Sequence, residues 1–195
     1  MATAGGALAA RTVYGDDVDL RTAGGAVELG VAAAERAAVD SGGGAVTVGD
    51  LSANLAVASG GGRVALQCSQ GVGAVRVDAG GADVECSVSP EATLAVDVAG
   101  EVALAPDLEL AGGREGADGA LVGELRPRRQ PGRKASAHVF RGDTGTAGAL
   151  VVRGARETRL RLRSWFEGLR ERLGGDGAPA VDKEIRFPET DLRRQ

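Results

Sequence analysis

The chain has 195 residues and combines 32 glycines with only 3% aromatic side chains, so a thick core built on large aromatic residues is excluded. Its apolar fraction of 43% argues against intrinsic disorder, its two cysteines exclude a disulfide scaffold, and no run approaches the roughly 18 apolar residues of a membrane-spanning helix. The formal net charge of −4 is divided unevenly, with −8 over residues 1–104 and +4 over residues 105–195.

Residues 1–14 are expected to form an N-terminal segment or cap. The stretch Met1–Arg11 lacks the apolar core of a secretory signal, and its single charged residue is weak support for an organellar transit peptide. The strand pattern described below already runs at Val18 and Leu20, which supplies only half a repeat. We therefore expect either that upstream repeats are missing or that residues 1–14 cover an abrupt end.

Residues 15–104 contain an internal repeat that is marked by glycine blocks. The blocks share a small first residue, two or three glycines and a valine at the sixth position. They begin at Thr22, Ser41, Ser59 and Ala79, and a degraded fifth copy begins at Asp97. This nearly constant spacing is typical of repeat architectures, in which each repeat is one structural unit.

Apolar and polar residues alternate on both sides of each glycine block, which predicts strands rather than helices. After the blocks, the inward positions are Val27, Val46, Val64, Val84 and Val102, followed two residues later by Leu29, Val48, Leu66, Cys86 and Leu104. Before the blocks, they are Val18, Ala37, Leu55 and Val75, then Leu20, Val39, Val57 and Val77. The pattern predicts an all-β fold: a single-stranded parallel β-helix, or β-solenoid, with coils of about 19 residues stacked about 4.8 Å apart.

The remainder of the chain is expected to be less regular. Residues 105–134 form a loop-rich insertion with one strand at Ala120–Leu125, and residues 135–173 return to alternation and end in a short helix that caps the solenoid. That helix begins at Ser164 as N-cap, with Glu167 in a capping box, and ends at Leu173 before two glycines. Residues 174–195 form a flexible tail. The further predicted strands are Ala137–Phe140, Ala149–Val152 and Thr158–Arg163.

The stretch from Gly15 to Leu29, with the Gly-Gly-x-Val units that follow it, resembles a widespread family of glycine-rich β-helical domains that carries the label adhesin and has no established function. The resemblance covers roughly residues 12–165. It implies a parallel β-helix and no catalytic residues. Eukaryotic members of the family are associated with mitochondria, which is the only indication of a compartment.

Carboxylates are the first candidates for chemistry, because many β-helices process polysaccharides with a carboxyl pair about 5–9.5 Å apart. Asp40 and Asp78 share a column two coils apart, at roughly 9.6 Å. Glu28 and Glu85 share another column three coils apart, at roughly 14 Å. No aromatic side chains surround either pair, so we interpret all four as solvated carboxylates.

Metal and thiol chemistry find little support in the sequence. The repeats lack the regular aspartates by which a β-roll shares calcium between turns, and His138 is the only histidine. Cys68 and Cys86 both fall at inward positions but in different columns, so we expect two buried, reduced thiols. The sequence therefore predicts no catalytic residue, no cofactor and no metal site.

Two groups of basic residues could meet an anionic surface. The first group is Arg126, Arg128, Arg129, Arg133 and Lys134, and the second is Arg159, Arg161 and Arg163. No aromatic residues are interleaved to stack nucleobases, so sequence-specific nucleic-acid binding is not expected. Solvation, or pairing with the acidic repeats of another copy, is the simpler interpretation. The tripeptide Arg141-Gly-Asp143 matches an integrin motif, which we interpret as chance.

The sequence favours a non-enzymatic, adhesin-like structural or protein-interaction module. It would bind an unidentified protein partner, or associate with itself, through its strand faces or open edges. Two alternatives stay open: a carbohydrate-acting β-helix enzyme that uses Asp40 and Asp78, and an anionic-surface binder that uses the C-terminal arginines.

Overall fold

The computed structural model describes residues 1–90, 92–115, 120–128 and 148–163. These residues form one continuous, mostly parallel sheet of fourteen strands, which winds into a barrel-like solenoid. No helix occurs among the residues described. The predicted all-β class is confirmed.

Most strands are short, but the two that begin the solenoid are long. The strands are β1 (Ala2–Thr3), β2 (Leu8–Thr22), β3 (Val27–Asp40), β4 (Val46–Leu51), β5 (Asn54–Ala58), β6 (Val64–Cys68), β7 (Ala74–Asp78), β8 (Val84–Val88), β9 (Leu94–Val98), β10 (Glu101–Leu104), β11 (Leu108–Glu115), β12 (Leu121–Pro127), β13 (Gly148–Arg153) and β14 (Glu157–Leu162).

The sheet has two walls, because β2 and β3 each run from one wall into the other. Wall A contains the first halves of β2 and β3, followed in space by β4, β6, β8, β14 and β10. Wall B contains their second halves, followed by β5, β7, β13, β9, β12 and β11. Inward side chains of both walls belong to one buried core. We number the strands of each wall as levels in this spatial order.

The predicted columns match the strand register through β8 in wall A and through β7 in wall B. In wall A, Val27 pairs with Val46, which pairs with Val64 on the next strand, and all three are at most 1% exposed. The corresponding columns of wall B run through Leu55 and Val75 in the same way. Alternation places every second residue of a strand on the same side, so these apolar positions stack into the core.

After Val84, the predicted order of stacking is wrong. The repeat pattern predicts Val102 next to Val84, but β14 lies between β8 and β10, so that Thr158 separates the two valines. In wall B, β13 lies between β7 and β9 in the same way. The strand pair β13–β14 is therefore inserted into the solenoid out of chain order.

Glycine is required in the turns from wall B to wall A for two different reasons. In the turn that begins at Ser41, Gly42 and Gly43 have φ angles of +58° and +112°, a region that favours glycine. Gly44 is required for close approach, because a Cβ there would lie 2.1 Å from the carbonyl oxygen of Gly25 in the preceding turn. The buried Ser41 hydroxyl donates to the carbonyl oxygen of Gly44 at 2.5 Å and joins the turn to the next one.

Residues 1–14, expected as a separate segment or cap, contain β1 and the first half of β2. Leu8 pairs with Val27, and Ala10 with Leu29, so the first coil has both of its walls. The half-coil expected at Val18 is thus part of a full coil in the structure.

Residues 105–128, expected as mostly loop, contain the antiparallel hairpin β11–β12, which pairs with β9. The side chain of Leu110 lies over Gly123, where a Cβ would be 2.8 Å from the Leu110 Cγ. Leu108 and Leu125 are buried in the core, with exposures of 1% and 0%. The hairpin therefore extends the core of wall B beyond the parallel strands.

Several predicted features lie outside the described residues. They are the strand Ala137–Phe140, the capping helix from Ser164 to Leu173 and the tail of residues 174–195.

Candidate binding surface

The aspartates considered as a catalytic pair lie on the edge of wall B beside the glycine turns. Asp40 pairs with Ala58, and Ala58 pairs with Asp78, so the two carboxylates are two levels apart, as the repeat predicts. Asp40 accepts a hydrogen bond from the N–H of Gly42 at 3.2 Å, and Asp78 makes the equivalent contact with Gly80 at 3.4 Å. Both carboxylates therefore contribute to the local geometry of the turns.

The other carboxylate pair, Glu28 and Glu85, is separated by three levels of wall A. Glu85 lies between two arginines: its Oε2 is 2.6 Å from Arg63 Nη2, and its Oε1 is 2.6 Å from Arg161 Nη2. Only 18% of the Glu85 side chain is exposed. This carboxylate connects strands β6, β8 and β14.

The arginines of β13, of β14 and of the turn between them form ion pairs within the chain. Arg153 contacts Asp97 at 2.6 Å, Arg156 contacts Asp83 at 2.6 Å, and Arg159 contacts Glu157 at 2.7 Å. The Arg156 guanidinium lowers the pKa of the Asp83 carboxyl through their hydrogen bonds. Arg153 and Arg156 thus meet acidic residues of the preceding repeats in the same chain, whereas Arg159 pairs within β14.

The first basic group is described only in part. Arg126 pairs with Glu124 at 2.5 Å, and the backbone N–H of Arg128 donates to the carbonyl oxygen of Asp107 at 2.7 Å. The remaining candidates, Arg129, Arg133, Lys134, His138 and Arg141-Gly-Asp143, lie outside the described residues.

Cys68 and Cys86 are both fully buried, and their Sγ atoms lie 3.5 Å apart. The sulfur contact and the burial raise the pKa of the Cys86 thiol well above its ordinary value. In the register, Cys86 pairs with Leu66, two residues before Cys68. The diagonal Cα separation is therefore about 8 Å, which exceeds the usual range of a disulfide.

The residues that the structure describes contain no group of three or more histidine, cysteine, aspartate or glutamate side chains that could hold a metal ion. They also contain no helix long and apolar enough to cross a membrane.

The outer surface of wall B carries a shallow groove of about 660 Å³ that crosses its first five levels, from β2 to β13. Small outward side chains form the floor: Ala38, Ala56, Ala74, Ala149 and Val151. Polar side chains lie along and around them: Asp17, Asp19, Arg36, Asn54 and Arg76. We call this feature the wall B groove.

Two of its polar groups are held in place. Arg36 binds Asp17 through two contacts of 2.6 and 3.0 Å, and this guanidinium lowers the pKa of the Asp17 carboxyl. Asn54 donates to the carbonyl oxygen of Glu35 and accepts from the N–H of Ala74, both at 2.8 Å, so it bridges three levels. Arg76 is exposed and forms no hydrogen bond or ion pair within the described part of the chain.

Sequence reasoning missed this groove. Its floor occupies the outward positions of the strands, where an alternating pattern predicts polar residues in contact with water. The outward alanines at 38, 56 and 74 were the available signal. The fifth level could not be included, because it belongs to β13, which is distant in the sequence.

A second, smaller recess of about 240 Å³ lies on the outer surface of wall A. Gln67 and Ser87 line it and are only 4% and 3% exposed. Arg161 crosses the recess and donates from Nε to the Ser87 hydroxyl oxygen at 2.9 Å. Arg161, one of the two arginines that pair with Glu85, therefore also occupies this recess.

Comparisons of the chain with protein-family models, with curated proteins and with solved structures found no match. The resemblance to the adhesin-labelled family stays a prediction.

Proposed function

We propose that the protein is a non-enzymatic interaction module that binds a protein partner through the wall B groove. The observation that carries this proposal is the floor of the groove, where each of the second to fifth levels exposes at least one alanine or valine. A regular strip of small side chains lets another backbone or sheet approach closely, and charged groups at its margin set orientation.

The other outward residues support this choice over the alternatives. Asp40 and Asp78 each accept a hydrogen bond from a turn N–H, which gives them a structural role that a carbohydrate-acting enzyme would not need. Arg159 and Arg161 are paired with Glu157 and Glu85, which reduces the positive charge available to an anionic surface. The groove is the larger of the two recesses described above.

The proposed module has a defined coil and a closed end. We infer a single-stranded parallel β-helix with coils of about 19 residues. It is adhesin-like in its glycine turns and is closed by a short helix from Ser164 to Leu173. The register supports the coil length, because each valine of the column Val27, Val46, Val64 and Val84 pairs with the next one.

The test compares two variants that each place an arginine on an exposed strand position. Ala56→Arg fills the centre of the wall B groove, and Thr47→Arg alters the outer surface of wall A. Proteins crosslinked to the wild type in its source cells should be lost with Ala56→Arg and retained with Thr47→Arg. Binding should then be reconstituted with the purified partner. Equal retention by both variants would refute the proposed surface.

A further inference from the structure

The outward residues of the wall B groove follow a charge pattern that is complementary to itself. Across the first four levels, one column contains Asp19, Ala38, Ala56 and Arg76. When the order of the levels is reversed, Arg76 takes the place of Asp19, and the two alanines exchange places. A second copy related by a two-fold axis would therefore match each charge with its opposite.

We propose that the wall B groove binds a second copy of this chain, through a two-fold axis that lies along the strands between the second and third levels. The proposal rests on the proposed function and names its partner. Asp19 of each copy faces Arg76 of the other, and Ala38 faces Ala56 at the centre. The small central side chains allow the two sheets to approach closely.

The neighbouring columns add pairs about the same axis, while Asp40 faces Ala58 and Asp17 faces Ala74 of the second copy. The column on one side contains Arg21, Asp40, Ala58 and Asp78, so Arg21 faces Asp78 of the second copy. On the other side, Arg36 and Asn54 occupy the second and third levels and face each other across the axis. The symmetry thus brings together two opposite-charge pairs, each formed twice, and one pair that can hydrogen-bond.

The charged groups are exposed at this surface. Arg76 has no ion pair within the described residues, and Asp19 and Arg21, which bind each other at 2.8 Å, are 55% and 67% exposed. A second possible two-fold axis lies along the strands at the fifth level. It would also match Arg76 with an opposite charge, that of Asp97. That axis also places Arg153 against Arg153 of the second copy, and like charges in contact disfavour it.

The size of the surface sets the expected strength. Four levels of about 4.8 Å and strands of five residues at about 3.3 Å give a face of about 300 Å² per copy. Stable interfaces bury about 800 Å² per partner. We therefore expect a weak, concentration-dependent dimer with a Kd of about 10 µM or higher, which high salt weakens further.

Sedimentation velocity of the full chain from low to high micromolar concentration tests the proposal. The wild type should dimerise, whereas Asp19→Arg and Arg76→Glu should each weaken the dimer by about tenfold or more, because each creates two like-charge contacts. An equimolar mixture of the two variants should dimerise again, since each copy then meets its complement. Arg11→Glu, an exposed charge at the first level of wall A, is the control and should behave as the wild type.

Circular dichroism establishes that each variant is folded, and Ala56→Arg at the centre of the interface replaces any variant that is not. A monomeric wild type, or a mixture that stays monomeric, overturns the proposal. If the chain is monomeric but Ala56→Arg still abolishes binding of the crosslinked partner, the dimer is refuted while the proposed function stands. If partner binding is also unaffected, both are refuted.

Discussion

Gly44→Ala tests whether close stacking of the turns, rather than backbone conformation, requires glycine at the fourth turn position. Gly44 does not have a positive φ, so alanine is compatible with its backbone. In open space the substitution would stabilise the chain by about 0.5 kcal/mol through the unfolded state. Here the new Cβ would lie 2.1 Å from the Gly25 carbonyl oxygen and 2.4 Å from its carbon. The turns would have to separate by about 1 Å to reach the 3.0 Å that is the shortest realistic contact.

That separation disturbs the hydrogen bonds between the turn that begins at Thr22 and the turn that begins at Ser41. They are Gly24 N–H to Ser41 O at 2.9 Å, Val27 N–H to Ala45 O at 2.8 Å and Thr22 Oγ1 to Ser41 O at 3.1 Å. At about 1 kcal/mol each, their loss costs about 3 kcal/mol, and the unfolded-state gain reduces this to about 2.5 kcal/mol. We expect Gly44→Ala to lower the free energy of unfolding by that amount in urea denaturation.

Gly6→Ala is the matched control, because Gly6 holds the same position in the first turn. Among the described residues no turn is stacked against its Cβ direction, and the nearest atom is the Thr3 Cβ at 3.9 Å. We expect Gly6→Ala to leave stability unchanged or slightly higher. The turn that begins at Ala79 naturally has alanine at this position, Ala82. The equivalent hydrogen bonds, which the N–H groups of Gly61 and Val64 donate to that turn, are longer, at 3.1 Å each. If Gly44→Ala were as stable as Gly6→Ala, the stacking argument would be refuted.

Three further predictions concern the core and the ion pairs. Thr158 lies in a valine column, and its buried hydroxyl has no hydrogen-bond partner in the described part of the chain. Thr158→Val should therefore raise the free energy of unfolding by about 1 kcal/mol, whereas Thr47→Val on the exposed surface should change it little. Cys68 and Cys86 should resist iodoacetamide at pH 7.5 in the native protein and react after denaturation, as followed by mass spectrometry; rapid native labelling would contradict their burial and the raised pKa of Cys86. Arg156 lowers the folded-state pKa of Asp83, so the stabilisation from this pair is present above the ordinary pKa of 3.8 and is lost as the pH falls below it. Asp83→Asn should therefore flatten the acid end of the plot of unfolding free energy against pH. An unchanged plot would rule out the contribution.

The sequence determines the coils of the repeat but not the place of the last strands. The columns through Val27, Val46 and Val64 follow from alternation and constant spacing, since a slip by one residue would expose the core. The first half of β2 could have been found in the same way, because Thr3-Ala-Gly-Gly-Ala-Leu8 repeats the block that begins at Thr22. The hairpin strand β11 was missed because Gly112 and Gly113 interrupt its pattern, where the register with β12 shifts.

The level taken by β13 is not encoded in local periodicity. Its apolar residues Leu150 and Val152 would suit any level of wall B, so alternation identifies the strand but not its neighbours. The uneven charge was the useful signal for the position of this strand, although solvation or pairing with another copy was the simpler interpretation of it from sequence. The structure pairs that charge within the chain, as with Arg156 and Asp83. The candidate groove was missed for the related reason that its outward alanines carry no recognisable chemistry.

The inserted strands connect the stability of the solenoid with its proposed binding surface. β13 pairs with β7 on one side and β9 on the other, and the ion pairs of Arg153 and Arg156 span 56 and 73 residues. We expect such distant pairing to form late, because loop closure must precede the contacts that stabilise it. Until then β7 presents an open edge, and the wall B groove lacks Ala149 and Val151 at its fifth level. The proposed dimer uses only the first four levels, so it does not require the insertion, whereas a partner that contacts all five levels binds only after β13 is in place.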